Sequence, residues 1–305
     1  MPAAQAAAGI SAGRLRSGAV LALVFNAFTF GVSWWPFRQV AALGLHPLWL
    51  TALTYTIAVL ALLLARPAAL GELLRTPSLW GLVLGAGITN ACFNWAVSLG
   101  DVVRVVLLFY LMPLWAVLLS RLLLGERISP RGALRVALAL AGALVVLWPA
   151  AGSGASAWPL PHDLAEALGV LGGFGFALNN VMLKREAHRS TSSRALAMFA
   201  GGAVVALVLA AALSQAGRVP WPPAPAPGWL LASAGLASWF LVANLALQRG
   251  AAALPANTTS VIMITEVFFA SASALALGAG TLGGREALGA LMILGAALLA
   301  ALQRD

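Results

Sequence analysis

The sequence predicts an all-α integral membrane protein of ten transmembrane helices, arranged as two inverted five-helix repeats. Three observations predict it. The chain is 61% hydrophobic and 9% charged, whereas soluble domains carry roughly 25% charged and 45–50% apolar residues. Ten apolar stretches approach the length of about 20 residues that a helix needs to cross a bilayer. The two halves also echo each other. Asn94-Trp-Ala-Val-Ser-Leu-Gly100 recurs as Asn244-Leu-Ala-Leu-Gln-Arg-Gly250, a shift of 150, and Leu122-Leu-Leu-Gly125 recurs as Leu275-Ala-Leu-Gly278, a shift of 153.

The predicted spans run over 18–38, 47–65, 78–98, 102–124, 131–149, 165–184, 194–214, 228–248, 256–278 and 286–303. Arg14 and Arg16 precede an apolar run that continues past residue 30. That is longer than the roughly 7–15 residues of a signal-peptide core, so it reads as an uncleaved first span. His46-Pro47, Arg66-Pro67, Thr76-Pro77, Ser129-Pro130 and the Pro-rich segment 219–227 punctuate the spans with turn chemistry. The longest connector lies between spans five and six. The domain reading is a first repeat at 18–149, a linker at 150–164 and a second repeat at 165–303. An odd number of spans per half makes the second half enter the membrane from the opposite side, which is the inverted-repeat topology of many secondary transporters.

Charge fixes the predicted orientation. The termini and alternate loops hold fourteen of the eighteen Lys and Arg residues, among them Arg66, Arg75, Arg127, Lys184 and Arg189; the opposite side holds Arg38, Arg104, Arg218 and Arg285. The positive-inside rule puts both termini in the cytoplasm. The same bias accounts for the net charge of +9 as topology and contact with anionic lipid, with no nucleic-acid partner. The single cysteine, Cys92, excludes an internal disulfide.

Within the spans, Gly81 and Gly85, Gly169 and Gly173, and Ala133, Ala137 and Ala141 recur at the four-residue spacing that lets helices approach closely. An Ala- and Gly-rich composition alone would also produce them. Pro113 lies mid-span in the fourth helix and is expected to kink it as a hinge. Its mate at the 153 shift is Glu266.

Glu266 is the one acidic residue placed in mid-span. Such a group normally faces a cavity or a partner; a protonated acid bonded to a neighbouring helix is the structural alternative. Asn90 and Asn94 share a face of the third span, Asn26 lies in the first, Asn179 and Asn180 in the sixth, and Asn244 in the eighth. Taken singly, each could serve interhelical hydrogen bonding, worth about 0.6 kcal/mol. As a ring at similar depth they read as a cavity lining. Of the deeper aromatics, Trp34, Tyr110, Phe176 and Trp239, with Met263, complete the candidate substrate-binding set, although packing or lipid contact is the alternative for each.

Absent motifs narrow the chemistry. His46, His162 and His188 sit at span ends, no facing pair of mid-membrane aspartates exists, and no phosphate-binding G-x-x-x-x-G-K occurs. The reading is therefore no enzyme, no catalytic residue, no cofactor and no metal.

Ten spans in two repeats, the Leu111-Met112-Pro113 kink and the Leu124-Gly125-Glu126-Arg127 turn resemble the EamA branch of the drug/metabolite transporter superfamily. At the matching turn of the second half Gly278-Ala279 stands in place of Gly-Glu. With Met263-Ile-Thr-Glu266 and the general layout, the chain looks most like the YddG-type aromatic amino-acid exporters. The resemblance implies export of aromatic or other neutral amino acids across the bacterial inner membrane by alternating access. The partners read from the sequence are the amino acid and the lipid bilayer, with the oligomeric state left open and a monomer the plain reading. It also implies a central cavity formed mainly by spans 1, 3, 4, 6, 8 and 9. A nucleotide-sugar or sugar-phosphate carrier is the nearest rival, and it should need buried Lys or Arg. A flippase component or membrane enzyme acting on lipid-linked substrates is the rival of another class.

Overall fold

The computed structural model describes residues 2–127, 130–148, 160–254, 259 and 262–301. The described residues are helical, with no strand among them. Thirteen helices are used below. They are α1 (Pro2–Val32), α2 (Trp34–Ala42), α3 (Pro47–Ala65), α4 (Ala68–Arg75), α5 (Leu79–Leu99), α6 (Val102–Phe109), α7 (Met112–Leu124), α8 (Pro130–Leu147), α9 (Leu164–Arg185), α10 (Thr191–Gln215), α11 (Pro227–Ala253), α12 (Thr265–Ala276) and α13 (Gly284–Ala301).

Eight helical stretches among these residues are long and apolar enough to cross a membrane: Ser17–Ala42, Pro47–Ala65, Leu79–Leu99, Val102–Leu124, Pro130–Leu147, Leu164–Arg185, Thr191–Gln215 and Pro227–Gly250. The predicted ninth span is represented by the 12-residue helix α12. The predicted tenth overlaps α13. Residues 150–159 of the predicted linker, and 255–258, 260 and 261 at the start of the ninth span, lie outside the described residues. The chain is a multi-pass membrane protein, and its exposed leucines and tryptophans suit contact with lipid. Trp80 and Leu64 are 50% and 88% exposed, a cost in water but none against acyl chains.

Local chemistry starts and stops these helices. Asp101, Asp163 and Ser190 accept hydrogen bonds from the backbone N–H groups of Arg104, Glu166 and Ser193, capping α6, α9 and α10. Gly125 closes α7 at φ +70°, and Gly278, its mate in the sequence echo, follows α12 at φ +66°. Both occupy left-handed backbone that a Cβ disfavours.

The fourth span is broken. Helix α6 ends at Phe109 and α7 begins at Met112, with Pro113 in its first turn. Proline has no N–H to donate to Phe109, so the intrahelical bonding lapses there and restarts one turn later. Helix α12 likewise begins at Thr265, with Glu266 in its first turn. Pro113 and Glu266 therefore each occupy the second position of a restarted helix.

Helix α5 packs against α9 and α10, α1 against α11 and α12, α7 against α9, α3 against α10, and α8 against α13. The tight pairs use small residues. A Cβ on Gly85 would stand 2.7 Å from the backbone nitrogen of Asn179, and one on Gly175 would stand 2.7 Å from that of Thr89. The backbones of α5 and α9 touch. Gly81 also faces α9, through Met182, and Gly169 and Gly173 face α6 at Val105 and Phe109.

Candidate substrate cavity

These packings leave a cavity of about 140 Å³ in the middle of the bundle. Its polar lining is mostly amides. Asn26 of α1, Asn90 and Asn94 of α5, Asn179 of α9 and Asn244 of α11 line it, with Thr89, Tyr55 of α3 and Glu266 of α12. Rings of Phe30, Phe93, Phe109, Phe176 and Phe199 form the apolar wall, and Ala86, Met198, Leu247 and Met263 fill between them. Phe109 sits 4.7 Å from Phe93 and 5.4 Å from Phe176, centroid to centroid, within the range of favourable aromatic pairs.

Three of the amides are anchored through their nitrogen side. The Asn26 amide donates to the Ala243 carbonyl at 2.8 Å, Asn90 to the Ala86 carbonyl at 2.7 Å, and Asn94 to the Thr51 hydroxyl at 3.1 Å. The Tyr55 hydroxyl donates to the Asn90 carbonyl oxygen, and Gln248 donates to that of Asn244 at 2.7 Å. Asn179 is 3% exposed, and among the described residues its Oδ1 is a buried acceptor without a partner. Among the described residues the Glu266 carboxylate has no hydrogen-bond or ion-pair partner, although the first turn of α12 is a favourable place for a negative charge.

Eight of the twelve candidate residues thus meet on one cavity: Asn26, Asn90, Asn94, Phe176, Asn179, Asn244, Met263 and Glu266. Four do not line it. Trp34 is buried, its indole donating to the Ser273 hydroxyl at 2.9 Å under the Arg38 guanidinium; eight residues on from Asn26, it is turned about 80° off that face. Tyr110 is buried in the break between α6 and α7, within the apolar cluster of that region. Asn180, one residue and about 100° round the helix from Asn179, is exposed. Trp239 packs against the cluster of Phe37, Tyr55 and Phe240. Conversely, Tyr55, Phe30, Phe93, Phe109 and Phe199 were not singled out. Phe30 is one turn beyond Asn26 and Phe93 one turn beyond Asn90, so spacing from the asparagines is the signal that finds them.

One end of the bundle is tied by charge. Arg104, near the start of α6, bonds Glu166 of α9 at 2.7 Å, Glu286 of α13 at 3.0 Å and the Val146 carbonyl of α8 at 3.1 Å. Asp101 adds bonds from the backbone N–H and hydroxyl of Thr281. Arg38 reaches across from α2 to the Val97 carbonyl at 2.7 Å and to that of Gly100. At the other end Lys184 pairs with Glu126 at 2.8 Å, and Glu72 of α4 accepts from Ser190, the cap of α10, and from Ser193 within α10. Those bonds, Ser193's first, hold the Glu72 carboxyl below the usual glutamate range. Burial pushes the His46 imidazole down.

Comparisons with known proteins agree with this architecture. A solved crystal structure of a protein 20% identical to this one superposes with a TM-score of 0.54, over 95% of this chain and 96% of that one; at that identity it speaks for the fold alone. No curated protein matches the chain. Residues 17–148 match the EamA-like transporter family, within the drug/metabolite transporter superfamily.

Proposed function

From a chain whose residues 17–148 are those of an EamA-like transporter, we propose an exporter of aromatic or other neutral amino acids and related metabolites, of the YddG type, working by alternating access in a bacterial inner membrane. The observation that carries this reading is the cavity itself, lined by five asparagines and one glutamate together with five phenylalanines. That mixed lining suits a small solute with a polar head and an aromatic or apolar body. The substrate leaves unchanged; no chemistry on it is required.

Two inverted repeats are supported by the helix pairing. Exchanging each span of the first half with its counterpart in the second turns the α5–α9 contact into α11–α1, and α7–α9 into α12–α1. The same exchange turns α3–α10 and α8–α13 into themselves. Gly125 and Gly278 fall in register under it. With both termini cytoplasmic, the Arg104 ties lie at the periplasmic end and must part for release.

A nucleotide-sugar carrier is disfavoured because no Lys, Arg or His is among the described residues lining the cavity. Uptake of labelled Phe, Trp, Thr and Ala into proteoliposomes, with and without a pH gradient, tests the reading. Accumulation of at least one is expected, and failure of all four would overturn it.

A further inference from the structure

We infer that the cavity selects its substrate by a protonated primary amine, with the Glu266 carboxylate as counter-charge, so that an aromatic amine binds better than the matching amino acid, and far better than the matching acid. This rests on the exporter reading and names the part of the solute that is recognised.

The argument starts from charge. An ionisable group deep in a membrane protein costs several kcal/mol unless a partner or a cavity accepts it. Glu266 lies mid-bundle on the cavity wall, and the described residues offer its carboxylate neither a cation nor a hydrogen-bond donor. Two arginines of the bundle are committed elsewhere. Arg104 is held by Glu166 and Glu286, and Arg38 by the Val97 and Gly100 carbonyls. A cationic solute is the missing partner.

Hydrogen bonding points the same way. Asn26, Asn90 and Asn94 each spend an amide N–H on a protein acceptor. The Oδ1 atoms of Asn26 and Asn94 receive no bond from the described residues, and Asn179 adds an unsatisfied acceptor. The Asn26, Asn94 and Asn179 oxygens and the Glu266 carboxylate are therefore acceptors open to a solute's donors. An ammonium brings three donors and no acceptor; a carboxylate brings only acceptors and would meet Glu266 as a like charge. The paired rings of Phe93, Phe109 and Phe176 supply stacking partners for an aryl body and faces that attract a cation.

The experiment compares phenethylamine, phenylalanine and phenylacetate by quenching of intrinsic fluorescence of the purified full chain in detergent, because free amines leak through vesicles. Phenethylamine is expected to bind at least about tenfold more tightly than phenylacetate, the size of one charge-assisted hydrogen bond, with phenylalanine between them. Glu266→Gln should erase that order, whereas Glu266→Asp should keep it. Equal binding of amine and acid by the unaltered chain overturns the inference, and this holds even if Glu266→Gln fails to fold. An undiminished order in a folded Glu266→Gln variant overturns it too. If phenylalanine is taken up by proteoliposomes but phenethylamine does not bind, the inference fails and the exporter reading stands. If none of the three binds and no amino acid is taken up, both fail.

Discussion

The guanidinium of Arg104 lies 2.7 Å from the Glu166 carboxylate, joining the start of α6 to the start of α9. The same guanidinium holds Glu286 of α13 at 3.0 Å and the Val146 carbonyl at 3.1 Å. One arginine therefore gathers four helices at one end of the bundle. Glu166 is nearly buried, and its other oxygen accepts from the His162 backbone. Removing the cation leaves two carboxylates facing each other in poor solvent. Arg104→Ala is expected to cost about 2–3 kcal/mol, somewhat less than a fully buried pair because the arginine is 24% exposed. Thermal unfolding in detergent checks this, and adding Glu286→Gln to Arg104→Ala should restore part of the loss by removing one stranded charge.

The neighbours Asn179 and Asn180 should behave as opposites. Asn179 is on the cavity wall and 3% exposed, and Asn180 is on the outer surface of the same helix. Asn179→Leu should strongly reduce substrate uptake in proteoliposomes, because it puts an apolar group on the wall of a cavity of about 140 Å³ and removes a polar contact. Asn180→Leu should leave uptake within about twofold of the unaltered protein and stability within roughly 0.5 kcal/mol. Equal loss in both variants would put the cavity wall in the wrong place.

The contact between α5 and α9 predicts a steep steric penalty. Gly85→Leu must push apart two backbones that already touch at Asn179, and overpacking of this kind costs about 1–3 kcal/mol or more. Gly71→Ala in α4 is the control, since nothing lies within 4 Å of the added Cβ and alanine is the better helix former. Melting temperatures should fall for the first and hold or rise slightly for the second.

The membrane-spanning helices were legible in the sequence for a physical reason. A membrane span must satisfy its backbone internally and be apolar along its length, so hydropathy carries the signal without knowledge of any contact. The kink at Pro113 was legible because proline cannot donate. The asparagines were legible because a mid-span amide is rare and costly. The phenylalanine wall was not, because a membrane phenylalanine is equally at ease against lipid, as Phe268 at 69% exposed shows, and only helix rotation separates it from Phe176. Trp34 and Tyr110 are buried against neighbouring helices instead, and hydropathy does not separate burial in the bundle from a place on the cavity. The Arg104 and Glu72 ties join residues 62 and 118 or more apart, a relation no periodicity encodes.

Glu72 predicts a pH dependence. Its pKa is lowered in the folded protein, chiefly by the hydrogen bond from Ser193 and next by that from Ser190. A depressed carboxylate contributes stability above its unfolded value, about 4.3 for glutamate, and loses it as pH falls through the folded value. The stability difference between the unaltered chain and Ser193→Ala should therefore be largest near neutrality and shrink as the pH is taken below about 4.3. A difference that stays constant on acidification would show that Ser193 acts through packing against α4 and not through the carboxylate.

Pro113 should govern turnover more than affinity. Helix α6 stops at Phe109 and α7 restarts at Met112, and Pro113 itself does not line the cavity. Replacement by alanine restores an N–H that can bond the Phe109 carbonyl, which favours one continuous helix across Tyr110 and Leu111. That carbonyl also faces Gly173 of α9, so the straightened helix must shift against its neighbour or forgo the bond. Either way the break loses freedom to bend between two arrangements. In an alternating-access cycle such a change falls on the conformational step. Pro113→Ala is therefore expected to lower the maximal uptake rate several-fold while half-saturation moves by less than about twofold. A shift in half-saturation with an unchanged maximal rate would assign Pro113 to shaping the cavity through Phe109 instead.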